Sequence, residues 1–398
     1  MVQTGDVFVG VDMGKTAHYA QVVDPDGRSA FDRPVPNDEA SIRRLIDDAA
    51  GLGRVVLVID QPSSMAQLLL TVASETGVAV AYVTGLQMRR AADLYAGSAK
   101  TDPRDAWVLA DYARRNADRL TWLDVGDELL AELSILNGRD VDLAHDTNRA
   151  CNRLRDALTS ISPALERVVG DRLDSPGVRD LLGRYPTPTL LRRAGKARIS
   201  RVVARRSPRI ADKLTTAIWE ALDSQTVTLP AEARWGQVIS ALASDLERLH
   251  TQRKALETDI TDVFSRHPLS QVLVSLCGFG TRTGARTLAE IGNPHRFANG
   301  GQLAAYAGLA PVDRQSGSSI RGASKSRGGN HRLKNAMFIA AFVAARHDPD
   351  AKAYYEKKRA EGKKHNAAII CLARRRCDLI LAMLKTATPY NPTTLQAA

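Results

Sequence analysis

Residues 55–59, VVLVI, form an unbroken apolar run between Arg54 and the acid Asp60. A run this short with no polar alternation needs burial on both faces, so it reads as a central strand of an α/β sheet. The neighbouring sequence agrees. VFVGVD (7–12) and AHYAQVVD (17–24) read as strands, and the turn Asp24-Pro25-Asp26-Gly27 leads to a third near 28–33. Asn37 stands ahead of a helical pattern through Ile42, Leu45 and Ile46 and is the expected N-cap. A helix at 63–75, a strand at 78–83 and a helix after KTDPRDA follow, with Pro103 suited to that helix's first turn. Three strands followed by alternating αβαβα is the order of an RNase H-like domain, expected over 1–125.

Two long helical segments come next, at 129–165 and 235–263. Apolar residues in both recur at roughly heptad spacing, with polar breaks at Asp140, Thr147 and Arg253. A coiled-coil arm, an antiparallel hairpin inside one chain and a dimer seam all fit that pattern. The region 126–265, including a basic insert at 170–235, is therefore expected to be helical. Residues 266–398 are expected to form a separate, mostly α domain. There the glycines of SLCGFGTRTGARTLAEIG (275–292) suggest a tight turn between two short helices, able to present N–H groups to a phosphate.

Charge narrows the partner. The chain carries 55 Lys and Arg against 44 Asp and Glu, a net of +11, and residues 1–125 alone are net negative. The remainder is strongly basic, which points to nucleic acid. Between 190 and 213 nine cations, among them Arg192, Arg193, Arg205 and Arg206, meet a single acid, Asp212. A solvated helix face mixes both signs, so a phosphate-contacting surface is expected here. Lys and Arg clusters beside Tyr354 and Tyr355 suit stacking on a nucleic acid, or helix packing. No apolar run reaches membrane-spanning length, no signal segment is evident, and four scattered cysteines suggest neither disulfides nor zinc. A soluble cytoplasmic protein is expected.

Four acids stand at places that matter. Asp12 ends the first strand beside Gly10 and Gly14, small neighbours that leave room for a ligand. Asp60 ends the central strand, while Asp102 and Asp105 occupy the KTDPRDA turn and first helical turn, three residues apart and so on one helix face. If the first and fourth strands are adjacent and parallel, their ends bring Asp12 and Asp60 together. Clustered carboxylates repel unless a cation sits between them, and hard Mg²⁺ or Mn²⁺ suits carboxylate oxygens. Two such ions would support phosphodiester chemistry. The first strand also resembles the phosphate hairpin of actin-like ATPases, but nothing after residue 125 supplies the second α/β half that fold needs.

GVDMGK, VLVIDQP, KTDPRDA and the run GFGTRTGARTLAEIGNPHRFANGGQLAAYAGLAPVDRQSGSSIRGASKSRGGNHRLKNA together resemble the "IS-one-ten" insertion-sequence transposases. These are RuvC-like DEDD, bridge-RNA-guided recombinases of bacteria. The resemblance covers about 5–165 and 265–385. It implies an RNase H-like domain, a coiled-coil connection, a C-terminal transposase domain and a structured guide RNA. By motif, Asp12, Asp60, Asp102 and Asp105 correspond to the family's metal-binding acids, with Asp60 standing where Glu is usual. The family also uses a serine that forms a covalent link to DNA phosphate. Ser316 fits that motif, with Ser318 and Ser319 as rivals.

A serine hydroxyl needs a base, a metal or a cationic setting to act as a nucleophile. Residues 314–347 supply Arg314, Arg321, Lys325, Arg327, Arg332, Lys334 and Arg346, and no acid. The expected activity is metal-dependent DNA cleavage and strand transfer through a phosphoserine ester. Two half-sites in distant domains suggest a shared site, hence a dimer or tetramer. A junction nuclease using activated water and a non-catalytic RNA-binding scaffold are the alternatives.

Overall fold

The computed structural model describes residues 5–60, 64–95, 101–123, 127–316, 320–324 and 328–391. The chain divides into two compact units, Met1–Ala131 with Ser265–Ala398, and Glu132–Phe264.

The first unit opens with β1 (Asp6–Asp12), β2 (Ala17–Val23), β3 (Ser29–Pro36), α1 (Glu39–Ala50) and β4 (Arg54–Ile59). It continues through α2 (Gln67–Glu75), β5 (Ala79–Tyr82), α3 (Gly85–Ala92), α4 (Asp102–Arg115) and β6 (Thr121–Trp122). The strands form one mixed sheet in the order β3-β2-β1-β4-β5-β6. As the apolar run requires, β4 lies inside the sheet, parallel to β1 on one side and to β5 on the other. Alternation along the strands separates two cores. Val7, Val9, Val11, Leu57 and Ile59 pack with residues of α1 and α2, whereas Phe8, Val56 and Val58 pack with Leu109, Ala110 and Ala113 of α4.

The N-cap of α1 is Asp38 rather than Asn37: its carboxylate accepts from Ser41 N. The difference of one residue reflects two adjacent side chains able to cap. Helix α3 is opened by a capping box in which Thr84 and Gln87 bond each other's backbone N–H.

The second unit is helical. α5 (Glu128–Ile161) is followed by α6 (Pro163–Val169), α7 (Pro176–Arg184), α8 (Pro188–Ala194), α9 (Lys196–Arg206), α10 (Ala211–Asp223) and α11 (Glu232–Arg266). The expected helix at 129–165 breaks at Ser162, whose hydroxyl caps α6 while Pro163 opens it. The polar breaks of the two heptad runs meet each other within the chain. Arg253 of α11 donates to Asp140 of α5 at 3.1 Å, and Asp140 is 3% exposed. A buried pair of this kind sets which turns of two helices face each other.

Removing one partner strands the other charge. Asp140→Ala is expected to lower stability by about 2–3 kcal/mol, since Arg253 retains some solvent contact, and Asp140→Leu with Arg253→Leu should recover most of it. The midpoint of urea unfolding reads both.

The chain returns to the first unit with α12 (Ser270–Val274), α13 (Thr281–Ile291) and α14 (Gly300–Tyr306). A hairpin, β7 (Val312–Ser316) and β8 (Ile320–Ser324), precedes α15 (His331–His347), α16 (Pro349–Ala360) and α17 (His365–Thr386). Among the described residues no helix is long and apolar enough to cross a membrane.

Candidate active site at the sheet edge

Register places two of the four acids. Asp6 opposes Arg54 across β1 and β4, and both Arg54 Nε and Nη2 donate to the Asp6 carboxylate at 2.7 Å. The fork fixes the pair at one end. At the other end Val11 opposes Ile59, so Asp12 and Asp60, the next residue of each chain, finish level on adjacent parallel strands. Counting by twos puts both on the α4 face, with Phe8, Val56 and Val58. Both are partly buried, and Asp60 Oδ1 is shielded from solvent.

Helix α4 brings the other two. A Cβ on Gly10 would stand 2.0 Å from Ala106 O and 2.6 Å from Ala110 N, so helix backbone lies directly on β1. The far end of α4 reaches Gly27, where Arg114 lies beside the turn after β2. The helix therefore runs antiparallel to β1, with its first turn toward Asp12. Asp102 lies one turn before Ala106, about 6 Å along the helix, and Asp12 lies two residues beyond Gly10, about 7 Å along the strand. The backbone thus sets Asp102 and Asp105 at the level of Asp12 and Asp60. The small residues near Asp12 serve close backbone approach, Gly10 to α4 and Gly14 to the start of β2, instead of leaving room for a ligand. The place of a Cβ on Gly10 is taken by α4, and that of Gly14 by Ala17 O at 1.9 Å.

The buried Asp111 carboxylate of α4 gathers three donors, of which Tyr95 ties the helix to the segment before it. Tyr95 Oη donates to Asp111 at 2.6 Å, and Arg114 and Arg115 donate to the same carboxylate at 2.9 and 2.7 Å. Burial would raise the Asp111 carboxyl, but the bonds from Tyr95 and Arg114 and the charge of Arg115 hold it below the usual range. Burial, then the bond to Asp111, pushes the Tyr95 phenol up to about 12. Arg104 donates to Ala92 O and Tyr95 O, tying the first turn of α4 to the end of α3.

The four acids supply the hard oxygen donors that Mg²⁺ or Mn²⁺ takes. Their backbone positions suit such an ion, but as the side chains stand, no three His, Cys, Asp or Glu among the described residues gather closely enough to hold a metal. The aspartates share an edge without converging on a point.

The sheet edge has further neighbours that local sequence patterns did not signal. Burial raises the Tyr82 phenol at the end of β5; Tyr306 and Asp60 add to that, and Arg296 opposes it. Tyr306 and Arg296 come from the C-terminal segment, more than two hundred residues along the chain. Ser316 ends β7, opposite Ile320. Ser318, Ser319, Lys325 and Arg327 lie outside the described residues, and Arg314 and Arg321 are placed in the hairpin by backbone alone. The cations of 314–347 are not without acids: Glu290 of α13 stands 3.8 Å from Arg332. Lys334 lies in the first turn of α15, and Arg346 covers the Phe342 ring at 4.1 Å.

The basic segment of the second unit splits into two groups. Arg206 donates to Glu247 at 2.5 Å, and Arg192 donates to Leu222 O at 2.6 Å and to Gln225 O. These two, expected on the nucleic-acid surface, are held by the protein itself. Arg198, Arg201 and Arg205 are exposed on one face of α9 while Ile199 and Val203 bury the other, and Arg193 is exposed on α8. Tyr354 has Arg375 over its ring at 4.9 Å and Lys358 at 5.5 Å, and Tyr355 Oη bonds His365 Nδ1 at 2.7 Å, so both rings take part in packing.

Comparison with known proteins identifies the family. Residues 9–163 match a transposase family model of the DEDD, IS110 type, and residues 270–356 match the model described as "Transposase IS116/IS110/IS902 family". The chain is 46% identical to the insertion element IS110 43.6 kDa protein of Streptomyces coelicolor, over 98% of this chain and 97% of that one. It is 37% identical to the IS116 44.8 kDa protein of Streptomyces clavuligerus, over 97% and 96%. It is also 30% identical to a putative transposase for IS117 of S. coelicolor, over 91% and 90%. A solved T. thermophilus RuvC in complex with a Holliday junction substrate aligns with 29% of this chain and 99% of its own, at 16% identity and a TM-score of 0.24. That score is too low to bear on the fold, which rests on the strand order.

Proposed function

The chain belongs to the IS110/IS116/IS902 family of transposases, and from that premise we propose that it cuts and rejoins DNA through an ester to Ser316. The observation that supports this most is the levelling of Asp12, Asp60 and the first turn of α4 on one face of an RNase H-like sheet. Asp12, Asp60, Asp102 and Asp105 would hold Mg²⁺ or Mn²⁺ once their side chains turn toward a common point. Such an ion supplies a Lewis acid to the phosphodiester and to the oxygens it exchanges.

The remaining chemistry belongs to the chain. The Ser316 oxygen bonds to phosphorus as its proton leaves, the bond from phosphorus to one sugar oxygen breaks, and that oxygen takes up a proton. A sugar hydroxyl from a second strand later displaces the serine, so no nucleotide cofactor is consumed. Two half-sites on separate stretches of chain suit a dimer or tetramer in which they are shared. A structured guide RNA supplies sequence choice by pairing, and the exposed cations of α9 supply contacts to phosphates.

The test is covalent trapping. The full chain, with RNA transcribed from its element, is incubated with a duplex spanning the element end and Mg²⁺, then denatured. A DNA adduct that survives denaturation is expected with Mg²⁺ and absent with EDTA. Cleavage with no adduct would instead assign a nuclease that uses water, and RNA binding with neither would assign a scaffold.

A second measurement addresses α9. Replacing Arg198, Arg201 and Arg205 together by Ala should reduce the slope of log affinity against log salt by about 2–3. An unchanged slope would remove α9 from the interface.

A further inference from the structure

Arg296 closes a short 3-10 turn, Pro294–Arg296, that Asn293 caps by accepting from His295 N at 2.9 Å. Its guanidinium carbon lies 4.7 Å from the Phe297 ring centroid and 4.6 Å from that of Tyr306, the two rings being 5.4 Å apart. Phe297 is buried. Tyr306 is anchored in turn, because Asn330 Nδ2 donates to its hydroxyl at 3.1 Å and to Glu290 at 2.7 Å. The two adjacent rings hold the guanidinium by cation–π contact, an interaction that consumes none of its N–H donors.

Those donors are what remains. Nε and Nη2 of Arg296 are both buried and make no hydrogen bond among the described residues. A desolvated donor without an acceptor is costly, and an arginine fork matches the oxygens of a phosphate. This contact also lies in a telling place. Tyr82, which feels Arg296, Tyr306 and Asp60 together, is paired with Ile59, the residue before Asp60. A cation held by two rings, with two unused donor nitrogens, therefore lies within electrostatic reach of the same tyrosine as Asp60.

We propose that Arg296, packed against the adjacent Phe297 and Tyr306 rings near the strand end that carries Asp60, is a further substrate-contacting residue that donates to a non-bridging oxygen of the DNA phosphodiester being cut. The inference rests on the strand-transfer reading above and adds to it a phosphate-holding group. The acids bear negative charge and would repel a bare phosphate. Arg296 offsets that repulsion from the opposite segment of chain and orients the phosphorus toward the edge.

The experiment uses the full chain with its element's RNA and a duplex spanning the element end. One version of the duplex carries a neutral methylphosphonate at the junction phosphate. Neutralising that phosphate should weaken binding by the unaltered protein about tenfold and by Arg296→Gln less than twofold, because the contact is already gone. Cleavage of the unmodified duplex by Arg296→Gln should fall about a hundredfold. Equal methylphosphonate penalties in the two folded proteins would overturn the proposal and leave Arg296 a packing residue. Should Arg296→Gln fail to fold, Arg296→Lys keeps the charge over the rings without the fork. A tenfold or greater loss of cleavage with DNA binding retained is then expected, and an unaltered rate would overturn the proposal. An unaltered protein that does not cut the unmodified duplex would instead overturn the strand-transfer reading beneath it.

Discussion

Asp60→Asn should reduce strand cleavage by about a thousandfold while leaving DNA affinity within about twofold, and Ser316→Ala should abolish the covalent adduct with the same retention of binding. The amide is nearly the size of the carboxylate, so the change removes charge and one acceptor without opening a cavity in the sheet. Asp12→Asn should behave alike, because the register of β1 and β4 gives the two residues equivalent places. Asp111→Asn is the control. It lies on the same helix as Asp102 and Asp105, but its carboxylate is taken up by Tyr95, Arg114 and Arg115. That change should lower stability and leave the cleavage rate of the folded fraction nearly unaltered. The readout is single-turnover cleavage at saturating Mg²⁺ with DNA binding measured in parallel. If Asp60→Asn cuts at the normal rate, the sheet edge is not the metal site. If an adduct persists in Ser316→Ala, the nucleophile is Ser318 or Ser319.

Much of this edge could be read from the residues in order, and the parts that could not share a cause. VVLVI required a central strand buried on both faces, and Pro103 announced the first turn of α4; both describe the chain over a few residues, where local rules govern. Helix α3 lay within reach of the same rules through the Thr84–Gln87 capping box. The strand β6 did not, because two residues have no periodicity, and it exists only by pairing with the edge of β5. Counting charge between 190 and 213 treated nine cations as alike. Arg206 and Arg192 proved to be occupied by Glu247 and by the carbonyls of Leu222 and Gln225, partners thirty or more residues away. Arg332 likewise has an acid near it that local sequence did not signal, Glu290 of α13. Asp140 and Arg253 are the reverse case: each looked like a flaw in a heptad run, and together they explain one another. The placement of Arg296 and Tyr306 near Asp60 depends on how distant segments fold together, which no spacing encodes.

Gly10→Ala should be the most damaging single methyl in the N-terminal sheet. The added Cβ would meet Ala106 O at 2.0 Å and Ala110 N at 2.6 Å, and both are helix backbone, with no side chain to swing aside. Helix α4 must lift from β1, so stability should fall by about 3 kcal/mol, read as a shift in the urea midpoint. The functional effect should exceed what unfolding explains. Lifting the helix carries Asp102 and Asp105 away from the level of Asp12 and Asp60, and a displacement near 1 Å at a reacting centre can cost about a hundredfold in rate. Gly138→Ala is the matched control, since it sits in α5 with nothing within 4 Å of the added atom and should be neutral or slightly stabilising. Single-turnover cleavage per folded molecule separates the two contributions. If Gly10→Ala loses stability but its folded fraction cuts normally, close contact between α4 and β1 is a packing device alone, and Asp102 and Asp105 need not stand level with the strand acids for the reaction to proceed.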